Sequence, residues 1–201
     1  MYAGDSSAAT GGAMYIESGH GSISSSGLIQ IRTANAGTSG QSGLLSFSSG
    51  STSKGDSGSL YIGTGNAAVG TGGSISLTVG NGDTGNGGSM SIVAGRTSAS
   101  SATGGHIEIA SGEGSAANSG DIHIYTANAG TTGVSGLLVF SSGTTSAGNS
   151  GSIQIGTGFA SGGRGGTLEL TVGEGTSGTG GIMRMYAGDS SAATGGAMYI
   201  E

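Results

Sequence analysis

The sequence predicts an all-β chain, specifically a parallel β-solenoid of about 15 residues per rung. Three observations predict it. First, a glycine followed by two alternating apolar residues recurs along the whole chain. Second, six consecutive rungs resemble the next six. Third, the stretch MYAGDSSAATGGAMYIE at 1–17 returns letter for letter at 185–201, 184 residues later. One unit is therefore twelve rungs in 184 residues, built as two six-rung half-units of about 12–104 and 105–195. The chain reads as a single continuous segment over 1–201, with 185–201 overlapping the next unit of a tandem array. Met1 reads as an internal residue, because its copy Met185 lies inside the apolar stretch GGIMRMYAG.

The rungs are anchored at Gly12, Gly27, Gly43, Gly58, Gly73 and Gly88, then at Gly105, Gly120, Gly136, Gly151, Gly166 and Gly181, with Gly196 opening the repeat. Each anchor begins the pattern G-x-Φ-x-Φ-x-[STVA]-[GA], where Φ is a large apolar residue. The pairs run from Met14/Ile16 through Leu45/Phe47 and Ile107/Ile109 to Met183/Met185. Alternation with a period of two predicts a strand with one face buried. Clusters such as GTSGQSG and TSAGNSG lie between these segments and predict turns.

The half-unit repeat is visible in detail. TANAGT occurs at 33–38 and 126–131, and SGLLSFSSG at 42–50 matches SGLLVFSSG at 135–143. Six past the anchor, Ser18, Thr33, Ser49, Thr64, Val79 and Ala94 are matched in order by Ser111, Thr126, Ser142, Thr157, Val172 and Ala187. Stacked rungs about 4.8 Å apart would make a unit about 58 Å long. The anchor glycines are expected to take unusual backbone conformations or to lie where backbones touch.

Composition bounds the function. The chain has 48 Gly, no Pro, no Cys, 33% hydrophobic and 8% charged residues, and a net charge of −6. The ordered apolar spacing speaks against a flexible linker. No basic cluster is present, so nucleic acid is not an expected partner. No apolar run reaches the length of a membrane span. The rung pattern resembles the Gly/Ser/Thr-rich β-solenoid tracts of large extracellular filament and adhesin-like proteins. That resemblance covers the whole chain and implies an extracellular or cell-surface scaffold, no enzyme activity and no cofactor.

Four side chains form the sharpest candidate site. On stacked rungs His106 would lie beside Asp121 and Glu108 beside His123, a set that could ligate a zinc- or copper-type ion. The plainer reading, preferred here, is a pair of solvated contacts between rungs. Glu17 shares a column with Arg32, and Glu169 shares one with Arg184, which reads as register selection. Leu28, Leu44, Leu137 and Val139 fall on the outward face and are candidate lateral contacts between rods; cover by a local loop is the alternative. GNGDTGNGG at 80–88 offers one carboxylate, Asp83, too few for calcium.

The expected function is therefore the structural repeat of an extracellular fibre, stacking end to end and bundling laterally with itself. Glycans are compatible further partners. The alternatives are a surface-binding module, adhesin or ice-binding, and a polysaccharide-acting solenoid enzyme. The outward column three past the anchor includes Tyr15, Gln30, Ser46 and Glu108, too mixed for a regular ice-binding array.

Overall fold

Most rungs close on themselves through a local hydrogen bond, and the rungs do not stack. A computed structural model describes residues 2–200, and among these there is neither helix nor strand. Met1 and Glu201, the outer letters of the terminal repeat, lie outside the described residues. The predicted parallel β-solenoid is thus overturned. Among the described residues no inter-rung ladder forms.

The chain divides into two units, Met1–Ala94 and Gly95–Glu201. The division falls at the start of the loop that leads to Gly105, where the sequence places its half-unit boundary.

In the first unit the amide of Gly12 donates to the carbonyl of Gly4 (2.8 Å), Gly27 to Gly19 (2.9 Å) and Gly88 to Gly80 (3.2 Å). Each bond joins an anchor to the glycine seven past the previous anchor position. The loop between them contains one three-residue bend, at 7–9, 22–24 and 83–85 respectively. The G-x-Φ-x-Φ-x segments themselves contain neither bend nor turn. Gly40, Gly55 and Gly70 end their bends with φ of 127°, 95° and 117°, a region that only glycine enters readily.

The second unit repeats this construction. Gly105 donates to Gly95 (2.9 Å), Gly120 to Gly112 (3.0 Å) and Gly196 to Gly188 (2.8 Å). Gly148 ends the bend at 146–148 with φ of 121°. The remaining backbone bond, from Gly133 to Gly130 at 3.4 Å, tightens the turn beyond Thr131 and Thr132.

These closures explain why stacking fails. Among the described residues only seven backbone–backbone hydrogen bonds form, where folded chains make roughly two for every three residues. All seven are local, and short loops are the least costly to close. A stacked rung would order some fifteen residues, at about 1–2 kcal/mol each, to bury two apolar side chains worth roughly 1.5–3 kcal/mol apiece. Among the described residues no hydrogen bonds between stacked rungs form to offset that difference.

The accessible surface of the chain is 19799 Å², against about 8,300 Å² expected for a compact fold of this mass. No hydrophobic residue is buried among the described residues.

Candidate self-association face

The anchor glycines have a packing role. A Cβ added to Gly43 would come within 3.1 Å of the Thr33 side chain, and one on Gly73 within 3.0 Å of Thr64. At Gly88 the obstacle is Val79, 2.5 Å away. The second unit repeats the arrangement at Gly136 against Thr126 and Gly166 against Thr157. The residue six past one anchor therefore seats itself on the next anchor. No anchor has a left-handed φ; that conformation belongs to the bends.

Threonine in this column adds a bond. Thr33 Oγ1 donates to the Gly43 carbonyl (3.1 Å) and Thr64 Oγ1 to the Gly73 carbonyl (3.1 Å). Thr126 and Thr157 do the same to Gly136 and Gly166, at 3.2 and 3.3 Å. Rungs with Ser18, Ala94, Ser111 or Ala187 at this position close through backbone amides instead. Sequence reasoning identified this column without assigning it a function. Its signal was there: a hydroxyl residue recurs nine or ten residues before an anchor glycine.

Seating the sixth residue orients the segment before it. The residues two, four and six past an anchor share one face, because side chains alternate along extended backbone. Leu45, two past its anchor, is 46% exposed, while its neighbour Leu44 is 89% exposed. Leu138 and Leu137 differ in the same way, at 46% and 86%. All twelve apolar pairs fall between 46% and 70%, so the inward face is defined but uncovered. Phe140 of one rung joins Ile153 and Ile155 of the next around a concavity of about 340 Å³, with Gln154 at its rim. Phe140, Ile153 and Ile155 thus look into a common space that no part of the chain fills.

Leu28, Leu44, Leu137 and Val139 are exposed on the opposite side. No loop covers them.

The four proposed metal ligands are not gathered. Asp121 Oδ2 lies 4.0 Å from His123 Nε2 within one segment, with both side chains largely in water. Among the described residues no three His, Asp or Glu side chains come together to hold an ion. Glu17 with Arg32 and Glu169 with Arg184 form no ion pair within the chain; Asp121–His123 is the one such contact among the described residues.

Arg32 and Thr33, with Ala34 and Asn35, line a second concavity of about 340 Å³ beside the Thr33 closure. No helix among the described residues is long and apolar enough to cross a membrane. Comparison with known protein families, with curated proteins and with solved structures finds no match for this chain.

Proposed function

We propose that this chain is a structural repeat of an extracellular fibre, and that it gains its core by associating with copies of itself. The observation that carries this reading is the apolar ladder. Twelve rungs present an oriented, half-exposed apolar pair, and the chain covers none of them. Contiguous exposed apolar surface on this scale marks an interaction face. The surface in excess of a compact fold is several times the roughly 800 Å² per partner that a stable interface needs.

The same design argues for a mechanical role. The segments leave their backbone donors and acceptors free for another chain, and free strand edges are templates for pairing. The local closures set the segments out in advance, which lowers the ordering cost of association. Extracellular placement rests on the resemblance of the rung pattern to the Gly/Ser/Thr-rich tracts of large extracellular filament proteins.

Sedimentation and far-ultraviolet circular dichroism over a concentration series test this reading. The expected result is coil-like monomer when dilute and β-rich assemblies when concentrated. A coil-like monomer at every concentration would overturn it.

A further inference from the structure

We infer that neighbouring copies of this chain pair slid by one rung rather than in register. This rests on the self-association proposed above and specifies its geometry. The argument comes from charge. Eight side chains with charge or imidazole lie in the described segments: Glu17, Arg32, His106, Glu108, Asp121, His123, Glu169 and Arg184. All eight fall into four pairs, each sharing one column on two consecutive rungs.

Glu17 and Arg32 both lie five past their anchors, Glu169 and Arg184 both three past. His106 and Asp121 are one past; Glu108 and His123 are three past. Every pair joins an acid to a base. The chain does not use this complementarity itself, because its own consecutive rungs do not ladder. Between two copies, the slide decides what meets. In register, each charge faces its own kind, which is destabilising between adjacent strands. A half-unit slide puts Glu17 against Ala110 and Arg32 against Tyr125, so nothing is matched. A one-rung slide satisfies all four pairs at the strand spacing of about 4.8 Å.

The loops agree for the most part. In the column eight past the anchor, Arg96 would meet Glu113, while Glu174 would meet Asp189 as the single like-sign pair. Apolar pairs occupy every rung, so the slide keeps Φ against Φ throughout.

The chain has no cysteine, so introduced thiols report pairing unambiguously. Glu17→Cys and Arg32→Cys chains would be mixed at a concentration where sedimentation shows assemblies, then oxidised. A disulfide needs Cα atoms about 4.4–6.8 Å apart, which adjacent strands meet. The expected product is the mixed Glu17→Cys/Arg32→Cys dimer, at least fivefold over either homodimer. Equal or greater homodimer overturns the slide while leaving self-association standing. A chain carrying both substitutions that closes only within itself overturns the slide, as does the absence of assemblies, which overturns self-association as well. Charge exchange gives a second readout independent of thiols. Glu17→Arg should weaken assembly, and adding Arg32→Glu to the same chain should restore it.

Discussion

The Thr33 hydroxyl donates to the carbonyl of Gly43 across 3.1 Å, and Thr126 repeats the bond to Gly136 at 3.2 Å, 93 residues later. Both threonines are half-buried in a chain that is otherwise almost wholly exposed. The hydroxyl removes one freedom from the loop, and the methyl group seats the next anchor. Thr33→Val keeps the methyl contacts and deletes the hydroxyl. It should loosen the 33–43 loop by roughly 0.5–1 kcal/mol, a two- to fivefold rise in proteolysis within 34–42. Thr33→Ser keeps the bond and should lose less.

Anchor glycines should resist substitution even though their backbone is ordinary. Gly88→Ala drives a Cβ to 2.5 Å from Val79 Cγ1, so Val79 must turn or the Gly88–Gly80 bond must open; the bond is expected to open. Gly72→Ala, one residue before an anchor, meets nothing within 4 Å. Amide exchange at position 88 should lose its protection in the first variant. The Gly72→Ala variant should be unchanged, or steadier by about 0.5 kcal/mol because its unfolded chain is less free.

Bend glycines should resist for another reason. Gly70 has φ of 117° and open space around it, so Ala there clashes with nothing yet sits in a strained conformation. Gly70→Ala should cost about 1–2 kcal/mol locally. Gly65, with no left-handed φ and equal space, should accept Ala without that penalty. Chemical shifts of residues 68–70 separate the two outcomes.

The local part of this architecture was legible in the sequence. The period of two fixed which of Leu44 and Leu45 faces water, and the glycine column marked where each loop closes. Stacking was not legible. A repeat of matched columns describes which surfaces suit each other without saying whether they meet within one chain or between chains. Glu17 and Arg32 show the ambiguity: their shared column is as consistent with two molecules as with one. The metal quartet is not gathered for the same reason. His106 and Glu108 lie on one rung, Asp121 and His123 on another, and only stacked rungs would gather them. The hydroxyl bonds escaped notice because a Ser/Thr/Val/Ala column reads as mere small-residue packing until Thr33 is seen beside Gly43.

Leucines on the outer face should govern a later stage than the apolar pairs. Leu28, Leu44 and Leu137 point away from the face that carries the pairs. Replacing all three by Ser should leave chain pairing intact and reduce bundling, read as thinner fibres in electron images. Replacing Ile107, Ile109, Ile122 and Ile124 by Ser should instead abolish pairing in those rungs, since each loses an apolar group worth roughly 1 kcal/mol on covering its exposed half. Equal fibre width in the leucine variant would remove those residues from any lateral contact.

Association should switch on steeply with rung number. Each rung contributes two half-exposed apolar side chains, so covering them yields about 2 kcal/mol per rung. Bringing two chains together costs an estimated 4–15 kcal/mol in lost translation and rotation. With the one-rung slide, a pair of two-rung fragments covers one rung on each partner, gains about 4 kcal/mol and should stay monomeric at millimolar concentration. A pair of six-rung fragments covers five rungs on each partner and gains about 20 kcal/mol before backbone pairing is counted, enough to meet the cost. Fragments of two, four, six and twelve rungs, compared by sedimentation, should therefore show a threshold between two and six rather than a gradual rise. A gradual rise starting at two rungs would mean that each rung associates independently, and the local closures would then have no part in organising the face.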